Sequence, residues 1–305
     1  MLQTSLKYLR HHLRRALARP PRTAPILFAN SFPKSGTHLL TQVLEGMTKI
    51  GPAVDSGLPA IVMFDGPTGQ PRPIKAILSD LARLRAGDIA YGHLHATPEI
   101  VRAFFPSPSL TPQPPLPQGE GESDSLSPRE RVGVRAGAAL YFIYRDPRDV
   151  VVSHVHYVTE IEPNHVHHAY YRALPDFDAR LKTSILGRPE MGTLFPDIRA
   201  RFEPFLGWLR ADVCVIKFED FIQHRETTLD RILTHAENHG FTFHGSRPDA
   251  LRTLSDSINP QKSPTFRSGK VGGWRGKFSE ENMRVFKETA GDLLVRLGYE
   301  ENEDW

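Results

Sequence analysis

The chain of 305 residues holds a single cysteine, Cys214, so it can form neither an internal disulfide nor a cysteine-rich zinc site. A reducing compartment, and with it a cytoplasmic location, is the expectation. Long hydrophobic runs are also missing. The longest, Ala138 to Tyr144, is far short of the roughly 18 residues of a transmembrane helix. Nor does one sign of charge dominate: 38 Lys and Arg against 35 Asp and Glu leave a net charge of +3, too small to imply a nucleic-acid partner. With 39% hydrophobic and 24% charged residues, fibrous and wholly disordered classes are excluded, and the length allows one large α/β domain or two small ones.

The first acidic residue is Glu45. Before it, Lys7, Arg10, Arg14, Arg15, Arg19 and Arg22 crowd residues 1–22, and Leu2, Leu6, Leu9, Leu13 and Leu17 recur at helical spacing. This predicts a basic amphipathic helix stopped by Pro20 and Pro21, without the hydrophobic segment of an export signal. Three readings of it stay open: a helix packed on the domain or solvated beside it, a weak contact with an anionic membrane surface, or an organellar presequence.

From residue 23 onward strands and helices alternate. Strands are expected at Ile26–Ala29, Ile89–Gly92, Ala138–Tyr144 and Val213–Phe218. Helices are expected over Leu39–Met47, Ile74–Leu84, Thr97–Phe104, Asp146–Thr159, Pro175–Leu186, Pro196–Leu209, Thr227–His239 and Ser279–Leu297. The alternation predicts an α/β fold, a mainly parallel sheet with helices on both faces, as a single domain over residues 23–300. It is interrupted at 106–137, where seven prolines between Pro106 and Pro128 alternate with Gly, Ser, Gln and Glu. Such a segment buries too little apolar surface to offset the entropy of ordering, and it reads as a flexible surface insert.

Chemistry concentrates first in Asn30-Ser31-Phe32-Pro33-Lys34-Ser35-Gly36-Thr37-His38, between an apolar strand and an amphipathic helix. Gly36 permits close approach of backbone, the first helical N–H groups are unpaired, Ser35 and Thr37 add hydroxyls, and Lys34 adds a full charge. These are the parts of a phosphate cradle, although a Ser/Thr-rich helix cap has the same composition. The Walker A order is absent, because the lysine here precedes Ser-Gly-Thr. The second segment is Arg145-Asp146-Pro147-Arg148-Asp149-Val150 with Ser153 following. Arg145 at a strand end can fork onto a phosphate, and Ser153 lies two helical turns on; a surface ion pair with Asp146 or Asp149 is the plainer alternative. The third is Phe266-Arg267-Ser268-Gly269-Lys270-Val271-Gly272-Gly273-Trp274, a glycine-rich loop.

In this order the three segments resemble the signatures of the sulfotransferases that use 3′-phosphoadenosine 5′-phosphosulfate (PAPS). The first family signature reads Pro-Lys-Ser-Gly-Thr-Thr, matched by residues 33–37 with His38 in place of the second Thr. The third segment resembles the family's glycine-rich Arg-Lys-Gly…Gly-Asp-Trp loop and departs from it at Ser268, where Lys is usual, and at Gly273, where Asp is usual. The resemblance implies a P-loop-like fold and a PAPS site built from Lys34, Ser35, Gly36, Thr37, His38, Arg145, Ser153, Phe218, Arg267, Ser268 and Gly269, with no metal. It also implies a general base in the Gly92-His93-Leu94 segment, His93, with Lys34 on the leaving oxygen; His95 is the alternative base. Tyr91 stands where cytosolic members often carry a lysine. His93 and Arg145 are 52 residues apart, and removing an insert of roughly 30 residues restores the family's register. The cluster His165, His167 and His168 lacks acidic partners at ligand spacing and reads as a polar loop on the acceptor side. Sulfuryl transfer to a hydroxyl-bearing acceptor is the expected activity. A P-loop-like kinase and a noncatalytic nucleotide-binding scaffold are the rivals.

Overall fold

The computed structural model describes residues 2–65, 68–105, 137–263 and 269–305. The proline-rich segment 106–136 and the loop residues 264–268, Arg267 and Ser268 among them, lie outside the described residues. The described strands are β1 (Ile26–Ser31), β2 (Val54–Asp55), β3 (Ile61–Val62), β4 (Asp88–His93), β5 (Ala138–Tyr144) and β6 (Cys214–Lys217). They form one parallel sheet in the order β2-β4-β1-β5-β6, with β3 continuing beside β4.

The near-continuous apolar strands are explained by burial on both faces. Along β1 and β5, Ile26, Phe28, Leu140 and Phe142 enter one core, and Leu27, Ala29, Tyr141 and Ile143 enter the other, as the period of two requires. The second core is closed by α2 (Thr37–Gly46), α10 (Arg225–Asn238) and α11 (Arg247–Asp256) through residues such as Leu40, Leu233 and Leu254. The first is closed by α3 (Ile74–Leu81), α4 (Pro98–Phe104), α5 (Pro147–His156), α7 (Phe177–Leu186), α8 (Ile198–Phe202) and α12 (Glu280–Arg296). Two helices are capped as the sequence suggests: Thr97 accepts from the N–H of Ile100, and Asp146 from that of Arg148.

Several bounds differ from expectation. The helix expected over Pro196–Leu209 is α8 followed by a 3₁₀ turn, Glu203–Trp208, because Pro204 cannot continue an α-helix with full hydrogen bonding. The last strand stops at Lys217, and Phe218 instead opens α9 (Phe218–Gln223). The helix from Pro147 changes to a π-helical turn over Tyr157–Ile161. Neither α6 (His168–Ala173) nor α11 was foreseen, although α11 has a readable cap in Ser246, which accepts from the N–H of Asp249. The basic helix is present as α1 (Leu2–Ala18). Among the described residues no helix is long and apolar enough to cross a membrane.

Candidate active site

Because all strands run in parallel, their C-terminal ends share one edge, and β1 is the strand from which the order departs in both directions. The crevice beside such a strand is where open α/β sheets bind ligands. There a cavity of about 340 Å³ is lined by Lys34, Gly36, Thr37 and His38 from the first segment, His93 from β4, Arg145 and Ser153 from the second, Phe218 from α9 and Gly269 from the glycine-rich loop. Residues distant in sequence thus meet at one cavity. Ser35 is fully buried beneath it.

The loop after β1 is held in an unusual shape. Lys34 has φ 69° and Gly36 φ 100°, both left-handed. A lysine there is strained, and such strain concentrates at functional sites. Gly36 is required on two counts, since a Cβ would also stand 2.7 Å from the Phe218 ring. It caps α2 with no side-chain hydrogen bond, so the first N–H groups of that helix are available to an anion. The Ser35 hydroxyl is buried with no hydrogen-bond partner among the described residues, and so is Nε of Arg145. Lys34 has its ammonium 3.6 Å from the Tyr157 ring centroid, a cation–π contact. Burial, and secondarily Arg145, lowers its pKa to about 8. Among the described residues no carboxylate lines the cavity, whereas Lys34, Arg145 and Arg225 do. Orphaned donors, free helical N–H groups and a wall lined by cations are the chemistry of an anion site, and a nucleotide carrying phosphate groups fits them.

Arg145 makes the ion pair with Asp149 weighed from sequence, and it also lines the cavity. Its Nη2 donates to the Lys270 carbonyl at 2.6 Å and to Asp149 at 3.2 Å, while its guanidinium lies 4.6 Å from the Phe218 ring centroid. Asp149 in turn accepts from the N–H groups of Gly272 and Trp274, each at 2.9 Å. It therefore suspends the glycine-rich loop over the cavity. Phe218 is both core and lining, being 7% exposed and stacked beneath Arg145.

His93 occupies the end of β4. Its Nδ1 lies 2.9 Å from the Ser31 carbonyl and 3.0 Å from the Ser31 hydroxyl. A carbonyl only accepts, so Nδ1 carries the proton and Nε2 presents a lone pair. Burial, partly countered by the Ser31 bond, lowers the pKa and keeps the ring neutral. The Ser31 hydroxyl also bonds that of Thr37 at 2.7 Å, which ties the histidine to the cradle. Asn30 fixes the same strand end, donating to the Leu94 carbonyl and accepting from the Leu94 N–H. His95, by contrast, lies edge-on to Phe64 and Phe205 and does not line the cavity. His38 lines it, with its pKa lowered by burial and then by Lys34.

The histidine cluster is largely packing: His167 lies against Phe195 at 4.3 Å, and His168 bonds the Val158 carbonyl. Sequence reasoning passed over Tyr157 and Arg225, both of which line the cavity. Tyr157 had a signal, standing one helical turn beyond Ser153. Arg225 reaches the cavity from the break between α9 and α10 at His224, which no local pattern announces.

Comparison with known proteins bears on the family and the fold. A family profile described as a sulfotransferase domain matches residues 140–298, a stretch that holds the second and third segments and leaves out the Lys34 loop and His93. No protein of curated function matches the chain by sequence. Among solved structures, mouse sulfotransferase SULT7A1 complexed with PAP superposes with TM-score 0.54 at 19% identity, covering 95% of this chain and 92% of that one. Retinol dehydratase in complex with retinol and PAP gives 0.52 at 17%, covering 93% and 86%. At these identities the likeness is one of fold.

Proposed function

The chain belongs to the sulfotransferase domain family, and from that premise we propose that it moves a sulfuryl group from PAPS to an acceptor hydroxyl, with His93 as general base and Lys34 at the leaving oxygen. The observation that carries this reading is the cation-lined cavity free of carboxylates among the described residues, whose lining includes both Lys34 and a histidine, His93, held through Nδ1 by the Ser31 carbonyl at the end of β1. PAPS supplies the sulfuryl group together with a phosphate that leaves as an anion.

The residues of this chain divide the work. Nε2 of His93 takes the proton from the acceptor hydroxyl as its oxygen bonds to sulfur. The bond from sulfur to the bridging oxygen breaks in the same step, and the charge left on that oxygen falls to Lys34, Ser35 and the N–H groups opening α2. Lys34 is free to move there, since its cation–π contact with Tyr157 is a weak restraint. Arg145 and Ser153 hold the 3′-phosphate, and the unpaired Nε of Arg145 leaves one arm of its fork open. Phe218 lies beside the adenine. An unfilled arginine disfavours nucleotides that lack the 3′-phosphate.

The test is a calorimetric titration with 3′-phosphoadenosine 5′-phosphate (PAP) beside ADP and AMP. Tight binding of PAP alone, weakened about 10- to 100-fold by Arg145→Ala, is expected. Equal affinity for the three nucleotides would sink the donor assignment. For the base, His93→Ala should lower turnover about 10²- to 10⁴-fold with PAP affinity nearly kept; full turnover would transfer the role elsewhere.

A further inference from the structure

The helix α1 is folded against the domain the wrong way round for a core helix. Its inward face is polar. His11 is 3% exposed and its Nε2 lies 3.0 Å from both oxygens of the fully buried Asp88. Arg15 binds the same carboxylate and the Ala86 carbonyl, and Arg14 binds Asp55. The opposite face is apolar and bare: Leu9 and Leu13 are each 57% exposed and Leu17 is 86% exposed. In sequence the same stripe runs back through Leu6 and Leu2. An amphipathic helix that spends its polar side on the protein leaves its leucines for something else.

Charge indicates what that is. Arg10, Arg19 and Arg22 are exposed and make no ion pair among the described residues, and no acidic residue precedes Glu45. Two copies meeting through this face would bring free arginines together without compensation. An anionic bilayer complements both features at once, taking leucines into its headgroup boundary and arginines onto its phosphates. The helix is already pinned by Asp55 and Asp88, so docking carries no cost of forming it.

We propose that α1 is an interfacial helix that docks the protein on an anionic lipid surface through Leu9, Leu13 and Leu17 with Arg10, Arg19 and Arg22. It is anchored at the start of β4, whereas the cavity lies at the strand ends, beyond His93 of the same strand. Surface binding and nucleotide binding are therefore separate properties.

The test is co-sedimentation of the full chain with vesicles of phosphatidylcholine alone and of phosphatidylcholine with about a third phosphatidylserine. Binding to the anionic vesicles is expected, at least about tenfold weaker on the neutral ones and released by high salt. The double variant Leu9→Glu/Leu13→Glu should lose that binding about tenfold or more while keeping its melting temperature and PAP affinity, because both side chains are exposed. Failure to sediment with either vesicle overturns the proposal, as does equal binding by the double variant or equal binding to neutral lipid. A concentration-dependent dimer dissolved by Leu13→Glu, without vesicle binding, would give the face to a second copy instead.

Discussion

Two strand–loop–helix units meet at the cavity, and their helices begin in opposite ways. The N-terminus of α2 is capped by Gly36 in a left-handed conformation without a side-chain bond, beside the unpaired Ser35 hydroxyl. The N-terminus of α5 is closed by Asp146, whose carboxylate accepts from the Arg148 N–H and holds the Arg148 guanidinium between itself and Glu300. The first helix start is left electrostatically open and the second is internally satisfied. A helix start is thus an anion site only where the chain withholds a cap. The second unit contributes Arg145 and the loop anchor Asp149 rather than backbone. One helix start is open to an anion and the other braces the frame, so substitutions at the first start should cost function and substitution of the cap at the second should cost stability.

The sharpest break of that contrast is Lys34→Met. Turnover should fall about 10²- to 10³-fold with a smaller loss of PAP affinity, as measured by single-turnover kinetics and titration. A uniform loss of binding with turnover intact would make Lys34 a ground-state contact only. Its pKa of about 8 adds a second readout. Burial and Arg145 disfavour the charged form, so the ammonium is complete below that pH and lost above it. The kcat/KM profile, which reports the free enzyme, should therefore fall as pH rises through about 8. Lys34→Arg should move that alkaline limb upward. At the acid end the rate should fall only below the ordinary histidine range, because burial lowers the pKa of His93.

In the framing unit, Asp146→Ala removes a cap and one carboxylate from a guanidinium whose side chain is 3% exposed. Unfolding free energy should drop by about 3 kcal/mol, read by denaturant melts, while PAP affinity of the folded fraction stays within about threefold. A large affinity loss at unchanged stability would erase the distinction between the units. Gly36→Ala is the mixed case, since a Cβ meets the Phe218 ring and φ is left-handed. A stability loss of about 1–3 kcal/mol with strongly weakened PAP binding is expected.

The binding unit was legible in sequence because its geometry is local: a strand end, a glycine that must be left-handed and a helix start lie within nine residues, Asn30–His38. The same holds for Arg145 through Ser153, and β5 falls on its expected bounds. What sequence did not reveal is what packing assembles. Tyr157 lies one regular helical turn beyond Ser153, but that Lys34 rests on its ring is set by the packing of two distant segments, and Arg225 enters from a helix break without periodic signature. The strands β2 and β3 have two residues each, too few to carry an alternating pattern. For α1 the pattern was legible but its orientation was not, because periodicity identifies two faces without saying that the buried Asp88 and the partly exposed Asp55 would claim the basic one.

The smallest expected effect discriminates best. The Ser35 hydroxyl is fully buried and unpaired among the described residues, so it contributes no folding bond and carries a desolvation cost. Ser35→Ala should leave the melting temperature unchanged or slightly raised. If the cradle takes a phosphate, the same change removes one donor from the bound state, and PAP affinity should fall about 5- to 10-fold, roughly 1 kcal/mol. Stability up and affinity down is a signature that a structural serine cannot produce, because a serine serving the fold would lose stability first. Should Ser35→Ala lower the melting temperature and leave PAP binding untouched, the open end of α2 would be a packing detail, and the contrast with Asp146 would lose its functional meaning.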